Sequence, residues 1–335
     1  NTPILTTSPE DAAWQKVMET AKQEGRLTIY SYSMIGDVAR VTSRTFQDRY
    51  GITVDIISGR QFQERITTEQ RTGQMVGDLM DASASSGVSL KIVGGTASSR
   101  EIPVLREKNA WRLHPLLIDP EGHLLAQRMQ LSGPWVNTNL VKPGKEPESY
   151  RDLAKPEWKG KIGLPDPSLS NQAYIIFYAL VDKGYLGMDF VGSLAKQDLK
   201  FVPATRDVAF GLSRGEFSLG LMSELDGTSF VAEGAPIKVI AFEEGTVVSL
   251  ATIEAIKGGP HPNAAKLFMN WLFGPEGQTV YNKALSMLSV RADVSDFRPA
   301  AAAVTPKRLI PLTTEDFERQ SQAFRDKDLV KLWKR

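Results

Sequence analysis

Short apolar runs alternate with helical repeats along the first quarter of the chain. Each run is four to six residues long. Between the runs, apolar residues recur about every 3.6 positions, as they do on one face of a helix. This pattern predicts strands over residues 26–33, 52–57 and 78–82, and helices over residues 8–24, 35–50 and 61–72. Gly25 and Gly51 follow the first two helices, where a left-handed residue commonly ends a helix.

Strands separated by helices indicate a mostly parallel sheet with helices on both faces. Ligands of such sheets bind outside the carboxyl ends of the strands. Small, hydroxyl-rich segments follow all three predicted strands, and we expect them to be loops. The candidate ligand-binding residues there are Ser31, Tyr32, Ser33, Ser58, Arg60, Ser85 and Ser86. The alternative is that these serines only form turns and cap helices.

A second candidate site lies in the middle of the chain. Residues 168–181 carry apolar side chains at helical spacing, and Ser168, Ser170 and Asn171 stand at the start of that predicted helix. Free N–H groups and the positive end of the helix dipole favour an anion at this position. Simple helix capping is the alternative interpretation.

The segment 252–278 has the most specific pattern. An apolar strand leads into a turn at Gly258-Gly259-Pro260, and a helix begins at Pro262. The sequence predicts one apolar helix face, formed by Ala264, Ala265, Phe268, Trp271 and Leu272. This segment and the proline-rich residues 155–167 resemble periplasmic solute-binding proteins of ABC importers, in the branch that includes ferric-iron, phosphonate, thiamine and polyamine binders.

The resemblance implies an α/β, two-lobed periplasmic-binding-protein fold of type II, with mixed, mostly parallel sheets. Lobe 1 is expected to hold residues 1–132 and 250–291, and lobe 2 residues 133–249 and 292–335. Residues 133–141 and 245–251 correspond to two crossover strands that form the hinge, and a helix is expected over residues 314–334. The implied mechanism is hinge closure around a small solute in an interlobe cleft, followed by delivery to a membrane permease.

Composition and charge exclude several other classes. The 335 residues are 41% hydrophobic, which is ample for a large core, and the formal net charge of +1 gives no electrostatic reason to expect nucleic acid as a partner. No apolar run approaches the roughly 20 residues that span a bilayer. The first residues lack a methionine and a signal-peptide core, which fits a mature periplasmic protein, and also a trimmed recombinant chain. We expect a monomer.

The chain lacks the motifs of an enzyme. It has no cysteine, and its three histidines are not at metal-ligand spacing. A Gly-x-Ser-x-Gly match at residues 211–215 lies between a predicted helix and the strand after it, whereas a nucleophile elbow lies between a strand and the following helix. We therefore expect neither catalysis nor a cofactor or resident metal.

The resembling ferric binders hold iron through two adjacent tyrosines in the loop after a strand of the second lobe. The corresponding residues here are 223–226, Ser-Glu-Leu-Asp, so the tyrosine pair is absent. A ferric-iron or iron-chelate binder without this pair remains one alternative. A non-transport interaction protein on the same fold is another.

The remaining candidates suit an organic solute. Arg206, at the start of a predicted helix, offers paired donors to a carboxylate or phosphoryl group. Glu224 and Asp226 could bind an amine, and Trp135 could stack on the body of the solute. The sequence therefore favours an anionic or zwitterionic small molecule.

Overall fold

A computed structural model describes residues 9–59, 62–117, 119–169, 171–312 and 317–333. The chain divides into two compact units. Unit 1 is formed by Asn1–Met129 and Leu250–Ser295, and unit 2 by Gln130–Ser249 and Asp296–Arg335. The predicted lobes differ from these units by a few residues at two of the three boundaries.

The strands are short except for the two that run from one unit into the other, β5 and β10. Their bounds are β1 Arg26–Ser31, β2 Thr53–Ser58, β3 Leu79–Ser83, β4 Thr96–Ala97, β5 Leu125–Asn137, β6 Ile162–Pro165, β7 Lys200–Val202, β8 Leu219–Ser223, β9 Ile237–Val239, β10 Thr246–Ile256 and β11 Leu309–Pro311.

For most strands, the next element along the chain is a helix. The α-helices are α1 Pro9–Glu24, α2 Gly36–Tyr50, α3 Phe62–Thr72, α4 Ala84–Ile92, α5 Asn171–Asp182, α6 Met188–Leu194, α7 Thr205–Arg214, α8 Glu224–Ala232, α9 Pro262–Phe273, α10 Pro275–Leu285, α11 Phe317–Phe324 and α12 Val330–Trp333, with a π-helical turn at Arg325–Leu329 between the last two. No helix within the described residues is long and apolar enough to cross a membrane.

Unit 1 is built on a sheet in which β1 pairs in parallel with both β2 and β3, while β10 is antiparallel to β3. The predicted apolar face of α9 is confirmed, because all five of its residues are buried. Phe46 of α2 packs against Phe268 and Trp271 with ring centroids 5.0 and 5.4 Å apart. These large apolar contacts hold α2 and α9 against the sheet.

Unit 2 has its own sheet and core. β6 is parallel to β7 and β8, β5 is antiparallel to β8 and β9, and the start of β10 pairs with β11. Tyr150 lies against Phe242, and Phe177 against Trp333, with ring centroids 4.7 and 4.8 Å apart. The mixed α/β class with mostly parallel strands is thus confirmed.

Two predicted loops are wrong. Residues 83–87 and 223–226 were expected to be irregular, but α4 and α8 begin at Ala84 and Glu224, immediately after their strands. In both cases a serine, Ser83 or Ser223, ends the strand and its hydroxyl caps the helix. A serine cap satisfies an N–H group of the first turn and so makes a longer connection unnecessary.

Gly227 of α8 makes a close packing contact in unit 2. A Cβ atom at this position would lie 2.3 Å from the indole of Trp135, whose side chain is 1% exposed. Gly192 of α6, in contrast, has no atom within 4 Å of an added Cβ. Replacement by alanine therefore changes the helix propensity at both glycines, but it changes the packing only at Gly227.

We expect Gly227→Ala to destabilise unit 2 by about 1–3 kcal/mol, because the buried indole must move. Gly192→Ala, the matched control, should be neutral or stabilise by up to about 1 kcal/mol, the usual gain of alanine over glycine in a helix. Urea unfolding followed by tryptophan fluorescence measures both. Equal stability of the two variants would contradict the packing described here.

Candidate functional site

In unit 1, the carboxyl ends of three parallel strands meet at one edge of the sheet. β1, β2 and β3 end at Ser31, Ser58 and Ser83, and α2, α3 and α4 follow them. The first N–H groups of each helix have no partner within the helix. This edge therefore collects hydroxyl and N–H donors, as the sequence indicated.

A buried carboxylate, Asp81, uses several of these donors. Its Oδ2 accepts hydrogen bonds from the Ser31 hydroxyl, from the Ser33 N–H at 2.9 Å and from the Ser33 hydroxyl at 2.7 Å. Gln127 donates its amide N–H to Oδ1. Two predicted ligand-binding serines, Ser31 and Ser33, are thus engaged by a fully buried side chain of unit 1 and hold the loop after β1.

The first turn of α4 carries three hydroxyls that form a serine cluster, Ser83, Ser85 and Ser86. The Ser83 hydroxyl accepts the Ser86 N–H at 3.3 Å and lies 3.1 and 3.0 Å from the hydroxyls of Ser85 and Ser86. Ser83 is exposed and the other two are half-buried. Hydroxyls that bond mainly to one another can reorient, so this turn can present several neutral donors to one anion.

The other predicted residues of this edge have different surroundings. The Ser58 hydroxyl donates to the Met34 carbonyl oxygen at 2.8 Å, which ties β2 to the loop before α2. Tyr32 is 42% exposed. Arg60 lies outside the described residues.

In unit 2, the carboxyl ends of β6, β7 and β8 likewise share one edge, and α5, α7 and α8 begin there. Carboxylates occupy donors at this edge. Asp166 accepts the Ser168 N–H at 2.8 Å and the Ser168 hydroxyl at 2.7 Å. The predicted anion site before α5 therefore contains a negative charge next to Ser168. Ser170 and the side chain of Asn171 lie outside the described residues.

Asp226 joins two helix starts of unit 2. Its Oδ2 accepts hydrogen bonds from the Ser223 hydroxyl at 2.8 Å and from the hydroxyl of Thr205, the first residue of α7. The next residue, Arg206, is exposed, and its guanidinium lies 5.5 Å from the ring centroid of Phe230. Arg206 thus places a positive charge at the start of α7.

Glu224 is buried with Arg298 and does not belong to the solvent-exposed part of this edge. The two side chains are each 3% exposed and approach to 2.9 Å, and Arg298 also pairs with Asp296 at 2.7 Å. Burial raises the pKa of Glu224 above its usual value, while the charge of Arg298 opposes that rise. A cavity of about 10 Å³ beside the pair, lined by Trp135 among others, has room for about one water.

These positions revise two candidates. Glu224 has an arginine partner within unit 2, and Trp135 is packed against α8 at 1% exposure. Sequence reasoning missed Arg298 and Thr205 as partners, because neither is near the acid it binds in the chain. For Asp81 a signal existed, since its partners Ser31 and Ser33 are among the last residues of a predicted strand.

Within the part of the chain that the structure describes, no group of three or more His, Asp or Glu side chains is placed to hold a metal ion.

The chain is similar in sequence to a family of known proteins. Residues 99–307, more than half of the chain, match the model of a family described as bacterial extracellular solute-binding proteins. An uncharacterized protein of Haemophilus influenzae is 25% identical over 334 aligned residues, covering 96% of this chain and 93% of the relative.

Solved structures share the fold. Ferric iron-binding protein A of Mannheimia haemolytica, in an open conformation, is 20% identical with a TM-score of 0.73. A Trichodesmium protein in complex with iron and citrate is 19% identical, also with a TM-score of 0.73. Each alignment covers 92% of this chain and 98% of the other chain.

The buried ion pair makes a prediction about stability. We expect Arg298→Gln to destabilise unit 2 by about 3–5 kcal/mol at pH 7, because Glu224 is left buried without its cation. The loss should shrink at low pH, where Glu224 is protonated. Adding Glu224→Gln should recover part of it, which a double-mutant cycle measures by urea unfolding.

Lys159→Gln is the matched control for this series. Lys159 pairs with Asp198 at 3.6 Å, and both side chains are more than half exposed. Its loss should cost under about 1 kcal/mol. A similar cost for Lys159→Gln and Arg298→Gln would show that burial of the Glu224–Arg298 pair does not increase the effect of losing its cation on stability.

Proposed function

Because this chain belongs to the family of bacterial extracellular solute-binding proteins, we propose that it is the periplasmic solute-binding component of an ABC importer. It captures a small anionic or zwitterionic organic solute and delivers it to a membrane permease. The hinge closure expected from the sequence stays a prediction, which a smaller radius of gyration on adding the solute would support.

The observation that carries the solute class is the serine cluster at the start of α4. It combines three hydroxyls with the free N–H groups of a helix N-terminus, and none of its three members is charged. Neutral donors at a positive helix end suit a carboxylate, phosphonate or phosphate group. This supports a solute with an acidic group that binds to unit 1.

A second set of groups supports a zwitterionic solute. The described edge of unit 2 presents Asp166 and Asp226 together with the exposed Arg206. Carboxylates favour an amine, and a guanidinium favours a second acidic group. Solved structures of the same fold include a ferric iron-binding protein and a complex with iron and citrate. Ferric iron would instead require several anionic oxygen ligands.

The solute class is tested by native mass spectrometry of the untreated protein, followed by a thermal-shift panel. The panel contains carboxylates, phosphonates, sugar phosphates, amines and ferric salts. A solute that binds only the folded protein stabilises it by about 2.7 kcal/mol at 100 times its Kd. A melting point raised only by ferric salts would favour the iron alternative, and one raised by no compound would favour an interaction protein.

If the serine cluster binds the acidic group of the solute, removal of two of its hydroxyls should weaken solute binding strongly. We expect Ser85→Ala combined with Ser86→Ala to weaken binding of the identified solute about tenfold to a hundredfold, since a bond to a charged group contributes roughly 1.5–3 kcal/mol. Ser89→Ala is the control, because Ser89 is on the same helix and donates to the Ser85 carbonyl oxygen at 2.9 Å. Calorimetry measures each Kd. Unchanged affinity in the double variant would remove the anion subsite.

Arg206 gives an independent prediction for unit 2. If it binds an acidic group of the solute, Arg206→Gln should weaken binding about tenfold or more. Arg214→Gln is the control, because Arg214 is also exposed on α7 and lies 5.2 Å from the Phe210 ring centroid. Equal affinities in calorimetric titrations of Arg206→Gln and the parent would identify Arg206 as a surface charge only.

A further inference from the structure

Unit 1 buries the carboxyl group of Glu254 as well as that of Asp81. Glu254 is on β10 and is 0% exposed. Among the described residues, neither of its carboxyl oxygens makes a hydrogen bond of normal geometry, although the buried hydroxyl of Thr252 is close enough to interact with the carboxyl group. Buried polar groups are normally paired, so a carboxyl group without such a bond requires an explanation.

Glu254 lies directly beneath the first turn of α4. A Cβ atom on Gly87 would be 2.2 Å from Glu254 Oε1 and 2.8 Å from Thr252 Oγ1. The helix backbone can approach the carboxyl group this closely only because Gly87 has no side chain. Gly87 follows Ser86, so the carboxyl group lies about one helical turn from the serine cluster.

The surrounding charges do not neutralise Glu254. Burial raises its pKa well above the usual range; the Thr252 hydroxyl opposes that rise, and the charge of Asp81 on the neighbouring β3 adds to it. The only charged residue of α4, Lys91, is 3.3 Å from Asp119. Other charged and titratable groups on elements packed nearby include Tyr30 of β1, Arg65 and Glu69 of α3, which bond to one another, and Arg128 of β5, which contacts Met287. Arg26 of β1 and Glu64 and Arg71 of α3 are exposed.

We propose that Glu254 couples proton binding to the binding of an anionic group at the serine cluster. The proposal rests on the proposed function, because it assigns the proton-linked residue of the same site. With the proton bound, the carboxyl group is neutral and the positive end of α4 is available to the anion. Without it, a second negative charge competes for that helix end.

The direction of the pH effect follows from this arrangement. A carboxyl group with a raised pKa is neutral at low pH and ionises as the pH rises. Affinity for an anion should therefore fall as the pH rises through the pKa of Glu254. Two unit charges separated by roughly 6–10 Å near a protein surface change an equilibrium by about tenfold or more. By linkage, binding of the anion should be accompanied by proton uptake.

Sulfate is the probe for this coupling, because its charge is constant between pH 5 and pH 9. We expect the parent to bind sulfate about tenfold more weakly at pH 9 than at pH 5. Calorimetry in two buffers of different ionisation enthalpy should show proton uptake near the midpoint. Glu254→Gln should bind sulfate with the same affinity at both pH values and without proton uptake.

Two controls separate this proposal from the proposed function. Glu121→Gln, at an exposed carboxylate of unit 1, should keep the pH dependence of the parent. Ser85→Ala with Ser86→Ala should lose sulfate binding at both pH values, which shows that sulfate occupies the serine cluster. A Glu254→Gln variant with the pH profile of the parent would overturn the coupling and leave the anion subsite intact. Absence of sulfate binding in the parent would overturn both.

A measurement without any anion checks the protonation of Glu254 itself. Because its folded-state pKa is raised, the stability contributed by its proton is fully present below the unfolded-state pKa of about 4.3 and is lost as the pH rises through the folded-state pKa. The parent should therefore lose stability relative to Glu254→Gln as the pH rises from 4 to 9, as followed by urea unfolding. A constant difference across this range would show that the pKa of Glu254 is the same in the folded and unfolded states, and so is not raised by burial.

Discussion

The arrangement of both sheet edges depends on the requirement that a carboxylate removed from water must receive hydrogen bonds or a cation. Asp81 meets it with two serines and a glutamine, Asp226 with Ser223 and Thr205, and Glu224 with Arg298. Each acid binds at least one residue of its own unit that is distant in the chain. These bonds fix the loops and helix starts at the carboxyl ends of the strands, which is where a solute would be bound.

The same requirement decides which donors remain available. Serines that solvate Asp81 or bond to Asp166 have lost much of their capacity to bind a ligand, although their sequence context is the same as that of the other serines. The serine cluster of α4 differs because its hydroxyls bond mainly to one another. Weak mutual bonds are more easily exchanged for bonds to a charged ligand than bonds to a buried carboxylate. The candidate site is thus defined as much by where the acids lie as by where the hydroxyls lie.

Much of the fold was predictable because it depends on local patterns. The alternation of apolar runs with helical repeats located β1, β2, β3 and α2 within one or two residues, and the spacing of Ala264, Phe268 and Trp271 identified the buried face of α9. The errors at residues 83–87 and 223–226 have a local cause. Without a glycine or proline between strand and helix, a capping serine looks the same as a loop serine.

The candidate site was less predictable, because its contacts join residues far apart in the chain. Arg298 is in the C-terminal segment and Glu224 at the start of α8, and nothing in either local sequence indicates the pair. Trp135 looked like a stacking residue because it is an aromatic residue on a crossover strand. Gly227, 92 positions later, allows α8 to cover it. A single sequence contains periodicity but not these pairings.

The discontinuous units also affect how the chain can be made. Unit 1 needs Leu250–Ser295 to complete its sheet and to supply α9, whereas most of unit 2 is synthesised before that segment. During synthesis from the N-terminus, the first 129 residues therefore wait with an incomplete core while the next 120 emerge. Contacts such as Phe46 with Phe268 close loops of more than two hundred residues, which slows folding. Unit 1 therefore completes its fold only after most of unit 2 has been synthesised.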